Sequence, residues 1–225
     1  MKGRNMHPSS AAIIDGFVHT YLPPNASVLE VGSWAASNQQ KVRDSFPGAS
    51  SYVGLDIVDG PGVDFVATNP YFWHTQFTSP FDVVISAQVF EHNPFFWLTV
   101  LNMSLVVKPG GFILIVAPSA GAVHRYPLDC WRFYPDAGAA LAAYACCEIV
   151  DFGLLNKDFP WNGAGNWRDW YCVLKKPDVD SGANDLMRQI LSSHQDFPGF
   201  NVAQSKLIGP LTTHLNSMRS TDNAL

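Results

Sequence analysis

Charge is scarce in this chain. Only 15% of its residues are charged, against about a quarter in an average globular protein. The 14 Lys+Arg are outnumbered by 19 Asp+Glu, the net charge is −5, and no cluster of Lys and Arg stands out. Such a surface cannot neutralise a phosphate backbone, so nucleic acid is not an expected partner. Long apolar runs are also missing. Phe112 to Ala117 is a clean run, far short of the roughly 20 residues a membrane span needs, so no membrane partner is expected. Cysteine is sparse: Cys130, Cys146, Cys147 and Cys172 form no CxxC pair and keep no ordered spacing with histidine. A reduced chain without a metal is the expectation. Met1 to Pro8 carries positive charge but no apolar h-region follows, so a cytoplasmic protein is expected. No internal repeat appears.

What is present is apolar and aromatic. Hydrophobic residues reach 47% and aromatics 13% over 225 residues, enough for one ordered domain with decorations. Short β-rich runs alternate with helical stretches, the pattern of a parallel α/β sheet. A helix is expected over Pro8 to Tyr21, with Ile13, Ile14, Phe17, Val18 and Tyr21 at helical spacing and Ser9-Ser10 as its cap. Pro23-Pro24 ends it, and Ser27 to Val31 reads as a buried strand stopping at Gly32. A helix capped by Ser37 or Asn38 and running to Phe46 then leads to a second strand, Ser51 to Asp56, with its acid at the carboxyl end. An edge strand is expected over Val63 to Ala67, and a doubly buried one over Phe81 to Ser86. A helix from Pro94 to Val107 precedes Phe112 to Ala117, the most strand-like run of the chain.

Pro118 to Tyr134 holds too many Pro, Gly, His and aromatic residues for a regular element. Loops of that length inside a compact domain are usually functional. Pro135 opens an Ala-rich helix to about Tyr144, in the first-turn position that suits proline. Cys146 to Phe152 and Trp170 to Lys175 are expected to pair as a hairpin. Residues 1–177 thus form the domain, and the polar stretch 178–225 is an appendage with helices over Asp185 to Leu191 and Val202 to Leu207. That appendage could pack on the core, cap a site or support a homodimer.

In open parallel sheets ligands bind beyond the carboxyl ends of the strands, where the winding reverses. Gly32 allows a tight turn and a close approach to the backbone, and the amides from Ser33 onward offer donors. Asp56, at the end of the second strand, has the chemistry to accept hydrogen bonds from ribose hydroxyls.

Four segments in order, Val28-Leu29-Glu30-Val31-Gly32, Val53-Gly54-Leu55-Asp56, Phe81-Asp82-Val83-Val84-Ile85-Ser86-Ala87-Gln88-Val89-Phe90-Glu91-His92 and Val107-Lys108-Pro109-Gly110-Gly111, resemble the signatures of class I S-adenosylmethionine-dependent methyltransferases. The resemblance spans about Ser27 to Asp151. It implies a Rossmann-like α/β fold, a seven-stranded sheet with one antiparallel strand and helices on both faces, and S-adenosyl-L-methionine as cofactor. Carried over by position, it places Glu30 and Gly32 beside the methionine moiety, Asp56 on the ribose and Ile57 on the adenine. Thr68 or Asn69 would lie near the adenine amine, and Ala87-Gln88 would form the floor under the sulfonium. The sequence departs from the family's pattern twice. Trp34 and Ala36 stand where further glycines are common, and Thr68-Asn69 replace the acid that often follows the third strand.

Methyl transfer to a hydroxyl needs a base, and the 118–134 loop supplies candidates. His124 and Asp129 offer a base or an orienting carboxylate, with His92 as a second base. Arg125 and Arg132 suit an anionic or hydroxyl-rich acceptor, and Tyr126 and Trp131 offer stacking faces. Arg132 could equally pair with Asp129 or Asp136. Trp161, Trp167 and Trp170 could form a lid or belong to the core. The reading that results is an O-methyltransferase acting on a small polar acceptor such as a sugar or secondary metabolite. The alternatives are an N- or C-methyltransferase and a cofactor-binding protein without catalysis. A nicotinamide-dependent protein is disfavoured because the G-x-G-x-x-G spacing is missing.

Overall fold

The computed structural model describes residues 8–35, 41–155, 167–179 and 182–196. Helix α1 covers Pro8–Tyr21. Strands β1 (Ser27–Val31), β2 (Ser51–Asp56), β3 (Phe65–Val66) and β4 (Phe81–Ala87) follow, then α2 (Phe96–Val106), β5 (Val107–Pro118), α3 (Ala137–Tyr144), β6 (Glu148–Leu154), β7 (Asp169–Lys175) and α4 (Ala183–Ser193). The strands form one sheet in the order β3-β2-β1-β4-β5-β7-β6. Every pairing from β3 to β5 is parallel, and β7 runs antiparallel to both β5 and β6. The expected hairpin is therefore real, and β7 inserts between β6 and the rest of the sheet.

Alternation along the strands sends side chains to two different cores. Leu29, Val84, Ile113 and Ile115 face a layer shared with Met103 of α2 and Leu141 of α3. Val28, Val83, Ile85, Leu114 and Val116 face Ile13, Ile14 and Phe17 of α1. Ile14 and Phe17 are 0% and 3% exposed, and burying each such side chain contributes about 1.5–3 kcal/mol. Helices thus cover both faces, the condition under which nearly unbroken apolar strands such as β4 and β5 are stable.

Several boundaries move. The residues Ser37 and Asn38 lie outside the described residues, and Val42–Ser45 forms a single 3-10 turn rather than a longer helix. Strand β3 shrinks to Phe65–Val66. Strand β5 begins at Val107, with residues 108–111 bulging between the pairs Phe81↔Val107 and Val83↔Phe112. Helix α3 starts at Ala137, with Asp136 as its N-cap. Ser9 and Ser10 lie inside α1, and their hydroxyls donate to Asp169 of β7 rather than closing the helix end. In the polar C-terminal stretch, α4 packs on α2 by burying Met187 and Leu191, one helical turn apart, against Leu98, Leu101 and Tyr71. The helix expected over Val202 to Leu207 lies outside the described residues.

The chain lays β1, β2 and β3 outward in one direction and then returns to place β4 on the other side of β1. The reversal falls between β1 and β4, so the crevice at their carboxyl ends is where such a sheet receives a ligand.

Candidate active site

The glycine turn after β1 is built by strand β2. The amides of Gly32 and Ser33 both donate to the Leu55 carbonyl, at 2.8 and 3.1 Å. Gly32 has φ +85°, and a Cβ there would lie 2.2 Å from Val89 Cγ2, so both conformation and space require glycine. Asp56 terminates β2 and gathers amides: Oδ2 accepts from Trp34 N–H at 3.0 Å, and Oδ1 accepts from Ile57 N–H at 2.7 Å. With a third bond, from Val58 N–H to Oδ1 at 3.3 Å, these hold the carboxylate at the rim and leave one lone pair, on Oδ2, for a ligand. Ile57 and Trp34 beside it are 60% and 50% exposed, an apolar shelf at the strand ends. Ser33 Oγ is buried there without a hydrogen-bond partner among the described residues.

Other positions have been put to structural use. Glu30 accepts the Tyr52 hydroxyl at 2.8 Å, and burial pushes its carboxyl up to about 7 despite that bond. Thr68 is exposed. Asn69 accepts from Tyr71 N–H and donates to the Gln195 carbonyl, tying β3 to the end of α4. Ala87 closes β4, half-buried. Gln88 follows in the left-handed region (φ +59°) and donates through Nε2 to Ser10 Oγ and Asp169 Oδ1, both at 3.0 Å. It joins the ends of β4 and β7 to the start of α1.

The second half of the site begins where Val89 leaves the glycine turn. A 3-10 turn, Phe90–His92, buries Glu91 completely and sets His92 beside it. The Glu91 carbonyl accepts the amides of Cys130 and Trp131, at 2.6 and 3.3 Å, which pins the 118–134 loop across this turn. Phe133 anchors the loop's far end by stacking on Trp170, centroids 5.4 Å apart. Gly121, at φ +109°, lies under Trp167, whose ring would be 2.0 Å from any Cβ there.

The loop carries His124 to His92, ring centroids 4.8 Å apart. His92 Nδ1 donates to the Leu128 carbonyl at 2.6 Å, and its Nε2 stands 3.6 Å from Glu91 Oε1. Neither Glu91 oxygen has a hydrogen-bond partner among the described residues, and burial raises this carboxyl to about 8. Burial also lowers both histidines below the usual imidazole value, His124 further so by the neighbouring His92. Asp129 accepts the His124 backbone N–H at 2.7 Å and lies 3.3 Å from His124 Nδ1. Burial would raise Asp129, but Arg132 holds it down to about 2 through two bonds, Nη1 to Oδ1 at 2.6 Å and Nη2 to Oδ2 at 2.9 Å.

Asp129 spends its oxygens on Arg132 and on the His124 backbone amide. Arg132 is the partner of Asp129, not of Asp136, and its guanidinium also donates to the Ala122 and Trp131 carbonyls. Tyr126 is 65% exposed with its ring 6.0 Å from each histidine, open to an incoming molecule. Arg125 is exposed as well. Trp131 donates from Nε1 to the Asn93 carbonyl and packs edge-on against Phe96 and Trp97, so it is half wall and half surface. Trp167 and Trp170 are buried, and Trp161 lies outside the described residues. Glu91 was not singled out from the sequence. Its one signal there is an acid directly before His92 at the end of a doubly buried strand.

No family model and no curated protein matches the sequence. Solved structures do match in shape. The Burkholderia thailandensis 1,6-didemethyltoxoflavin-N1-methyltransferase, crystallised with 1,6-didemethyltoxoflavin and S-adenosylhomocysteine, superposes with TM-score 0.57 at 15% identity over 76% of this chain and 79% of its own. A SAM-dependent methyltransferase from Methanosarcina mazei gives 0.53 at 14% over 77% and 99%. The N-methyltransferase NodS from Bradyrhizobium japonicum, with S-adenosyl-L-homocysteine bound, gives 0.50 at 14% over 75% and 86%. With its strand order, its antiparallel β7 and its crevice between β1 and β4, the chain has the fold of the class I S-adenosylmethionine-dependent methyltransferases.

Proposed function

We propose that the protein transfers a methyl group from S-adenosylmethionine to a hydroxyl of a small polar acceptor. The observation that carries this reading is the meeting of the two halves at Val89. On one side of it lies the Gly32 turn with the Asp56 rim and the Ile57 shelf, and on the other the Glu91, His92 and His124 cluster. The first half fits the cofactor. Asp56 is placed for the ribose hydroxyls, Ile57 for the adenine face, and the unpartnered Ser33 Oγ for a polar group of the ligand. Gly32 keeps the backbone open to it. When bound, S-adenosylmethionine supplies a methyl group on a positively charged sulfur.

The second half fits the acceptor. In the reaction the acceptor oxygen forms a bond to the methyl carbon while the carbon–sulfur bond breaks, its electron pair staying on sulfur. The hydroxyl proton must leave, and the His92 and His124 pair has the chemistry to take it. Asp129, fixed by Arg132, accepts the His124 backbone N–H and stands 3.3 Å from its ring. Tyr126 presents a ring to the acceptor, and the exposed Arg125 favours a hydroxyl-rich or anionic one, while the Arg132 guanidinium is spent on Asp129 and two backbone carbonyls. Positioning in this loop, closed over by Trp167, supplies much of the acceleration.

The test is to incubate the protein with S-adenosylmethionine and separate panels of phenols, sugars and amines, following S-adenosylhomocysteine release and the mass of the product. Methylated phenols or sugars support the reading. Methylation confined to amines would replace it with N-methyl transfer, and cofactor binding without turnover would point to a non-catalytic binder.

A further inference from the structure

The Glu91, His92 and His124 cluster has features that a proton-removing pair alone does not require. One ligand atom from each residue lies within 4.8 Å of the other two. Glu91 is 0% exposed, and among the described residues both its carboxylate oxygens lack a hydrogen-bond partner, the His92 imidazole standing 3.6 Å away. A buried carboxylate left this way costs free energy unless something comes to it. The His92 imidazole is also held as a ligand is held. His92 commits Nδ1–H to the Leu128 carbonyl, which leaves Nε2 with its lone pair toward Glu91. His124 has its Nδ1 3.3 Å from Asp129 Oδ2, and Asp129 is itself gripped by Arg132. A backbone carbonyl behind a ligand imidazole is the support that fixes tautomer and orientation in metal sites; Asp129 stands beside the His124 ring without a hydrogen bond to it.

We propose that Glu91, His92 and His124 bind one first-row divalent transition metal, zinc suiting the donor set best, and that its open positions take the acceptor oxygen. Two imidazoles and one carboxylate leave coordination sites free, and imidazole ligands favour zinc or its neighbours over magnesium or calcium. Ligands bound about 2.1 Å from a common ion lie roughly 3–3.5 Å apart, so a small inward turn of the side chains closes the present spacing. An acceptor hydroxyl on such an ion loses its proton at much lower pH than in water. The histidines then act as ligands instead of taking the proton, which the ion makes acidic enough to pass to solvent water. This departs from the metal-free expectation, which rested on the cysteines alone. What the open positions hold rests on the methyl-transfer reading; the ion itself does not.

The experiment is titration of the metal-free protein with zinc by calorimetry and with cobalt by visible absorption, without cofactor or acceptor. The expected result is one ion per chain, with cobalt bands free of thiolate charge transfer. Affinity should fall at least about 100-fold in both Glu91→Gln and His124→Ala. Glu91→Gln keeps the side chain's shape in its buried place, and a thermal melt establishes that each variant is folded. Three results would overturn the proposal: no stoichiometric binding, thiolate bands from the cobalt complex, or unchanged affinity in both folded variants. Zinc binding without S-adenosylhomocysteine binding would sink the methyl-transfer reading and leave the metal site standing; the converse would do the opposite.

Discussion

Val89 occupies the space that any side chain on Gly32 would need: a Cβ at Gly32 would come within 2.2 Å of Val89 Cγ2. The contact joins the turn after β1 to the turn after β4, so a change at Gly32 reaches both halves of the crevice. Gly32→Ala adds a left-handed conformation that alanine resists and a collision with packed side-chain atoms. It is expected to destabilise the protein by at least about 2 kcal/mol and to weaken S-adenosylhomocysteine binding. Adding Val89→Ala removes the collision and not the backbone strain, so urea unfolding should show partial recovery only.

Asp129 and Arg132 hold the 118–134 loop together. Removing either leaves a charged, largely buried partner, so Asp129→Ala and Arg132→Ala should each cost about 1.5–3 kcal/mol, with the double variant costing less than their sum. Chemical denaturation of the four proteins measures this. Arg132→Lys cannot reproduce the two-pronged grip and is expected to behave nearly like Arg132→Ala.

Glu30 makes stability depend on pH. Burial raises its carboxyl to about 7, whereas in the unfolded chain it releases its proton near ~4.3. Between these values the folded state binds more protons, so this group's contribution falls as pH rises from about 4.5 to 7. Glu30→Gln keeps the acceptor for Tyr52 and abolishes the titration. The variant should lose that decline and match or exceed the wild type above pH 7, the difference being on the order of 1–3 kcal/mol. Melting curves from pH 5 to 8 check it; parallel pH profiles for the two proteins would contradict it.

The strands could be read from the sequence because apolar runs buried on both faces carry their own punctuation, such as Gly32 after β1 and Pro80 before β4. Helix α1 was equally plain from the spacing of Ile13, Ile14 and Phe17. Side-chain partnerships across the chain were not. Nothing local to Gln88 shows that it reaches Ser10 and Asp169, and nothing near Asn69 points to Gln195. The candidate base His124 was visible in a loop crowded with polar residues. The burial of Glu91 was not, because it arises from a loop more than 25 residues onward folding back to bond its carbonyl through Cys130 and Trp131. Periodicity reports which face a residue takes within its element; it is silent on which distant loop will cover it.

The central claim is that the crevice between β1 and β4 receives S-adenosylmethionine with Asp56 on its ribose. Calorimetric titration with S-adenosylhomocysteine tests it most directly, with Asp56→Ala in parallel. The expected result is one site per chain in the wild type, weakened by about 1–3 kcal/mol in the variant with the fold intact. No binding by the wild type, or equal binding by the two proteins, would contradict the account.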